Sequence, residues 1–245
     1  MKFGIDLGHG VNPDRGAVGN IAEETIINEV GTKVISKLRA LGHSVIELRP
    51  SSASSVGNSL CQRYTKADNN NVDMCISIHS NAGAGVGTEV FTYAGKHFTE
   101  ADNVLNNLVS LGFRNRGIKD GSNLAMVRKP IAKAMLIEIC FVDSSDSDLY
   151  KQIGSEKIAN AIVSGLTGQQ PVSNSDKCYI VTDYLKQAYE GYDGVCISDI
   201  VNLIGVKCYA RHNSKGIWLE SSYITRVQAE KKKKKLGNLF YSINE

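Results

Sequence analysis

The feature that most constrains this chain is the run from Ala134 to Phe141, which is apolar throughout except for Glu138. A strand with apolar residues on both faces must be covered on both, the condition met by a largely parallel sheet between layers of helix. Shorter strand-like runs occupy Lys2 to Leu7, His43 to Leu48, Asp73 to Ile78 and Glu89 to Tyr93. Segments of helical spacing lie between or after them. Glu24 to Leu38 carries Ile27, Val30, Val34 and Leu38. Ala101 to Leu111 carries Val104, Leu105, Leu108 and Leu111, and Ile153 to Leu166 carries Ile158, Ile162 and Leu166. The alternation predicts an α/β fold for residues 1–168: a mixed, mostly parallel sheet flanked by helices.

The pattern ends in Thr167-Gly-Gln-Gln-Pro-Val-Ser-Asn-Ser-Asp176, a polar stretch without periodicity, and residues 169–176 read as a linker. The C-terminal segment, 177–245, has a different rhythm. Cys178 to Tyr184 reads as a strand and Ile200 to Ile204 as a short helix stopped by Gly205. Val206 to Arg211 and Ile217 to Tyr223 form a hairpin. Thr225-Arg-Val-Gln228 has the form of a capping box opening a helix that ends at Gly237, and Leu239 to Ile243 is a last strand. The order βαββαβ predicts a small ferredoxin-like α+β domain.

Hydrophobic residues make up 42% of the 245 and charged residues 22%, an ordinary globular balance. No apolar stretch approaches the ~20 residues needed to span a bilayer, so membrane insertion is not expected. The N-terminus reads as a strand running into a glycine-rich turn, without the features of a signal peptide. The six cysteines form no C-x-x-C pair, which argues against a cysteine zinc site and for free thiols. The net charge of +3 is uneven. From Lys177 onward there are 11 basic and 7 acidic residues, against 17 and 18 before it. An excess of four in the tail is too small to make nucleic acid the expected partner, and it leaves the histidines unexplained.

Chemistry is indicated where strands end. His9 comes after the first strand within Leu7-Gly-His-Gly10, and His79 closes Met74-Cys-Ile-Ser-Ile-His79. Ligands of open α/β sheets collect at the carboxyl ends of strands, and zinc favours imidazole and carboxylate, with three protein ligands in catalytic sites. A glutamate at the start of the helix after strand one could complete the set, and Glu23 and Glu24 are both available. Glu138, inside its apolar run, is costly to bury unless it faces a metal, a polarised water or an arginine. A general base beside a zinc site meets that need.

Four segments, in order and spacing, resemble the zinc N-acetylmuramoyl-L-alanine amidases of the type-3 family across residues 1–168. They are Asp6-Leu-Gly-His-Gly10, Glu24-Thr-Ile-Ile-Asn28, Ser77-Ile-His-Ser-Asn81 with Gly87-Thr-Glu-Val90, and Leu136-Ile-Glu-Ile-Cys-Phe141. The resemblance implies a Zn2+ cofactor held by His9, Glu24 and His79. Glu24 is preferred over Glu23 because the family glutamate usually precedes an asparagine by four residues, and Asn28 fits. It also implies that Glu138 is the catalytic carboxylate, and Asn81 is a candidate substrate contact. The sequence departs from the family at Lys133, where proline is common, and at Cys140, where glycine is usual. The implied reaction is hydrolysis of the amide joining N-acetylmuramic acid to L-alanine in peptidoglycan. The alternatives are a zinc peptidase acting on wall peptides and a non-catalytic wall-binding protein.

The tail holds seven of the ten tyrosines, the single tryptophan and the lysine run 231–235. It is similar to the small sporulation-related repeat-like domains of some lysins. This implies binding to peptidoglycan and wall glycopolymers through aromatic and basic residues. The competing expectation is that Tyr179, Tyr209 and Phe240 are core and the lysines a solvated helix face. A wall destination without an export signal points to a phage endolysin of a clostridial-type host, made in the cytoplasm and released through a holin-type lesion.

Overall fold

A computed structural model describes residues 1–171, 177–185 and 196–244. The expected linker therefore falls mostly outside the described residues. The chain forms two compact units, Met1–Pro171 and Val172–Glu245.

The first unit runs β1 (Lys2–Leu7), α1 (Glu23–Ala40), β2 (Ser44–Glu47), α2 (Val56–Asn69), β3 (Met74–Asn81), β4 (Thr88–Thr92), α3 (Thr99–Ser110), β5 (Asn115–Asp120), α4 (Ala125–Arg128), β6 (Lys133–Phe141), α5 (Asp146–Ile153) and α6 (Ser155–Thr167). Its six strands pair in the order β2-β1-β3-β6-β4-β5. All neighbours are parallel except β4 against β6, so the β4–β5 pair runs opposite to the other four strands. The apolar run 134–141 is β6, near the middle of the sheet, buried as its composition demands. One face of the sheet packs against α1, α3 and α6 through residues such as Ile27, Val30, Val104, Leu108, Ile158 and Ile162. The other face packs against α2 and α4 through a smaller cluster containing Ala67, Cys75, Met126 and Ala134.

Three elements depart from the sequence pattern. The helix expected from Ile153 to Leu166 is α6 and starts at Ser155; Ile153 ends a separate helix, α5, and Gly154 between them, with a φ of 80°, takes the chain out of helical geometry. The strand β5 is a solvent-exposed edge and lacks an apolar face. The helix α2 is amphipathic in an unusual sense: the positions it buries are Ser59, Arg63 and Ala67, one per turn. A search for apolar periodicity passes over such a helix.

The second unit runs β7 (Lys177–Thr182), α7 (Ile197–Ile204), β8 (Cys208–Asn213), β9 (Gly216–Ser221), a two-residue β10 (Ile224–Thr225), α8 (Arg226–Leu236) and β11 (Phe240–Asn244). Strands β8, β9, β7 and β11 lie side by side in that order, every pair antiparallel. This is the arrangement expected of βαββαβ, with β10 added against β7. Thr225 and Gln228 form the capping box of α8. All six cysteines are free thiols. Among the described residues no helix is long and apolar enough to cross a membrane.

Candidate metal centre

The site grows from the end of β1. Past Leu7 the chain turns through His9 (φ 52°) and Gly10 (φ 79°), a left-handed step that turns the backbone carbonyls away from the ladder. Two arginines receive them. Arg49 donates from Nε to the Leu7 carbonyl and from Nη2 to that of Gly8, both at 2.8 Å. Arg63, 1% exposed, donates to the carbonyls of Leu7 and His9, each at 2.7 Å. The same guanidinium pairs with Asp6 at 2.6 Å and with Asp14 at 3.3 Å, and its Nε donates to Ser59. Ser59 in turn donates to Asp14 at 2.7 Å, and Ser77 donates to Asp6 at 2.6 Å. The other oxygen of Asp14 meets His9, 2.8 Å from Nδ1. That contact sets the ring's tautomer and leaves Nε2 for a ligand, the usual carboxylate–histidine device behind a metal.

His79 comes from β3, beside β1. Its ring meets that of His9 edge-on, with centroids 4.8 Å apart. Gly8 makes room for it: a Cβ at that position would lie 2.3 Å from the His79 ring. The third donor is Glu23, first residue of α1 and 4% exposed. Its Oε1 lies 3.0 Å from His79 Nδ1 and its Oε2 3.5 Å from His9 Nε2. Backbone N–H groups of Ala17 and Ser80 also donate to it. Burial opposes its ionisation, but the His79 hydrogen bond, the two imidazoles and the Ala17 amide outweigh it and hold the carboxyl below its ordinary range. One ligand atom from each of His9, Glu23 and His79 falls within 4.8 Å of the others.

Glu24, expected as the third donor, lies outside this cluster. Its carboxylate takes two hydrogen bonds from Arg15, at 2.7 and 2.8 Å, and one from the Gly16 amide. Successive helical residues point about 100° apart, so only one of two adjacent glutamates can face the histidines. The buried face of α1 runs through Ile27, Val30 and Val34, and Glu23 continues it one turn earlier. Asn28, which favours Glu24 in the sequence, instead accepts a hydrogen bond from Arg49. The periodicity of the helix is the better guide.

Glu138 lies beside the cluster, directly opposite His79 in the β3–β6 register. Its Oε2 is buried and has no hydrogen-bond partner. Burial pushes its carboxyl up to about 7; His79 pulls the other way, and the negative charges of Glu23 and Glu89 add to the rise. Asn81 is adjacent, but both ends of its amide are engaged within the protein: Nδ2 donates to Glu89 at 2.9 Å, and Oδ1 accepts from the Ala82 amide. Cys140, in place of the expected glycine, is buried, and its thiol is pushed up to about 12 by burial. It is a packing group.

Fold and donors together define an α/β protein with a three-donor cluster able to hold a divalent metal at the carboxyl ends of its central parallel strands. Comparison with known proteins gives the family: the chain belongs to the N-acetylmuramoyl-L-alanine amidases, whose profile matches residues 4–168. An uncharacterized protein of Clostridium perfringens strain 13 is 31% identical over 184 residues, covering 71% of this chain and 54% of that protein. The N-acetylmuramoyl-L-alanine amidase LytC of Bacillus subtilis is 30% identical over 172 residues, covering 66% of this chain and 34% of LytC. The chain thus spans about half the length of the former and a third of the latter. Among solved structures, the catalytic domain of the CD27L endolysin targeting Clostridia difficile superposes with a TM-score of 0.62 at 26% identity, covering 69% of this chain and 98% of that domain.

The half-buried Glu138, its Oε2 enclosed and unpartnered, carries a stability signature. With its carboxyl raised from 4.5 to about 7 in the fold, the protonated form is favoured there. Stability is then unaffected below pH 4.5, falls as pH rises to 7, and is flat above. In metal-stripped protein, Glu138→Gln removes this cost. Denaturant unfolding is expected to show the variant more stable than wild type by about 2–3 kcal/mol at pH 8 and equal to it near pH 4.5. A variant no more stable at pH 8 would mean that the carboxylate is solvated.

Proposed function

We propose that the first unit is a zinc-dependent amidase that hydrolyses the bond between N-acetylmuramic acid and L-alanine in peptidoglycan. The observation that carries this is the meeting of His9, Glu23 and His79 beside an unpartnered glutamate, in a chain of this family. The donors suit zinc: two imidazoles and one carboxylate, with an oriented histidine and a carboxylate fixed by two backbone amides. A zinc ion there supplies Lewis acidity and lowers the pKa of water. The remaining steps belong to the chain. Glu138 accepts the proton of the attacking water and passes it to the departing alanine nitrogen. Burial and the neighbouring carboxylates raise the proton affinity of Glu138, which suits it to take that proton and give it back.

Two variants separate metal binding from proton transfer. Glu23→Ala is expected to lower zinc content at least tenfold in equilibrium dialysis, and Glu24→Ala to leave it within twofold. Glu138→Gln is expected to keep zinc and lose about 10²-fold or more in release of peptide amino termini from purified walls. Full hydrolysis by Glu138→Gln would overturn the assignment.

The second unit is read as a wall-binding module. Leu219 packs inward beneath α7 and α8, so its neighbours Trp218 and Glu220 face the other side of the sheet. There Trp218 stands opposite Arg211 and Glu220 opposite Tyr209. Arg211 and Trp218 both donate to Glu220, and Tyr209 carries Lys207 and Arg211 over its ring. An exposed tyrosine and a half-buried tryptophan framed by fixed polar groups suit sugar rings. The lysine run fits contact less well. Lys232 donates to the Ile204 carbonyl at the end of α7, and Lys233 lies over Phe240. Replacing Tyr209 and Trp218 together by alanine in the full chain is expected to abolish co-sedimentation with susceptible walls. Unchanged sedimentation would refute the role.

An endolysin setting is supported by the likeness to the CD27L catalytic domain. On that reading, production inside a susceptible bacterium lyses the culture only when a membrane-lesion protein is made with it. Lysis without one would instead indicate export by another route.

A further inference from the structure

Cross-strand register places His79 of β3 opposite Glu138 of β6, and Glu138 opposite Glu89 of β4. Residues directly opposite share a face of the sheet, and Arg116 of β5 extends the row by pairing with Glu89 at 2.8 Å. The proposed hydrolysis uses His79 and Glu138. It leaves Glu89 and Arg116 unexplained.

Glu89 is a buried carboxylate, 4% exposed, and its two oxygens are divided. Oε1 accepts from Asn81, while Oε2 accepts from Arg116 through Nε alone. Arg116 is thus held at a single nitrogen, not in the two-pronged arginine–carboxylate pair. The terminal nitrogens of Arg116 have no hydrogen-bond partner among the described residues. The guanidinium also lies 4.9 Å over the Phe141 ring, and its side chain is 35% exposed. An arginine that only neutralised its carboxylate could be held by two prongs, as Arg15 holds Glu24. This one is gripped at Nε and braced on an aromatic face, with its planar fork left for another anion. A fork of this shape matches a carboxylate.

We infer that Arg116 recognises a carboxylate on the peptide side of the scissile amide, with Glu89 and Asn81 as its positioning residues. The inference rests on the amidase reading and adds a determinant of specificity to it. Neighbouring strands lie about 4.8 Å apart, so two strand steps put Arg116 on the order of 10 Å from Glu138 along the row. Two residues of extended peptide span about 7 Å. With the scissile amide at Glu138, a free carboxylate on the residue after L-alanine falls within reach of the arginine side chain. The ligand is therefore an acidic second residue, and a carboxamide there forfeits the charged pair.

The test uses two synthetic substrates, muramoyl-L-alanyl peptides that differ only in a free carboxylate or a carboxamide on the second residue. They are assayed with the full chain and zinc supplied. Wild type is expected to favour the carboxylate by tenfold or more in kcat/KM, the difference residing in KM. In Arg116→Lys the preference shrinks severalfold. Removing Arg116 alone strands a buried carboxylate, so the second variant is Glu89→Gln with Arg116→Gln, in which the preference falls to about one. Wild type that cleaves both substrates equally overturns the inference and leaves the amidase reading standing. A double variant that keeps the preference also overturns it, because a merely structural pair would lower both rates together. Wild type that cleaves neither substrate refutes the amidase reading itself.

Discussion

Arg63 holds the site together. A guanidinium with 1% exposure is costly to bury unless every donor is met, and here the partners are the groups that shape the metal centre. Through Asp6 and the Leu7 carbonyl it fixes the end of β1, and through the His9 carbonyl it fixes the turn. Through Asp14 it anchors the carboxylate that orients the His9 ring. The cluster of Arg63, Asp6, Asp14, Ser59 and Ser77 draws on β1, α2, β3 and the loop after β1. The ligand geometry is thus tied to the packing of α2 against the sheet. Loss of the guanidinium would leave two buried carboxylates without their cation and the His9 carbonyl and Ser59 hydroxyl without this donor, while the Leu7 carbonyl would keep Arg49.

The same cluster explains what can and cannot be read from the sequence. β6 is legible because a run of near-unbroken apolarity admits few environments, and Glu138 because a carboxylate there demands a reason. His9 and His79 are legible as polar residues ending strands. The helix α2 is not, since its inward positions are Ser59, Arg63 and Ala67, and the polar residues among them owe their burial to partners 45 to 57 residues away. The choice between Glu23 and Glu24 turns on a related point. Asn28 marks Glu24 by its spacing alone, whereas its side chain serves Arg49. The phase of α1, read back one turn from Ile27 and Val30, points to Glu23.

Relations across strands are the least accessible. The row from His79 through Glu138 and Glu89 to Arg116 joins residues up to 59 positions apart, and depends on β4 running antiparallel to β6 while β3 runs parallel to it. No local pattern encodes that reversal. It matters, because it brings Glu89 beside Glu138 and adds a second negative charge to the side of Glu138 away from His79.

The distribution of cations then sorts the acidic groups by role. Asp6 and Asp14 share Arg63, Glu24 is held by Arg15, Glu89 by Arg116, and Glu23 lies between two imidazoles and two backbone amides. Glu138 stands apart: half-buried, near two other carboxylates, and with no hydrogen bond to its enclosed Oε2. Groups that are paired have their geometry set by their partners and are suited to holding a metal or shaping a pocket. A group denied a partner bears the full solvation cost of its charge, so its proton is the one most easily exchanged with a neighbour. The proposed division, with Glu138 in proton transfer and its neighbours in structure and recognition, follows from where the arginines are.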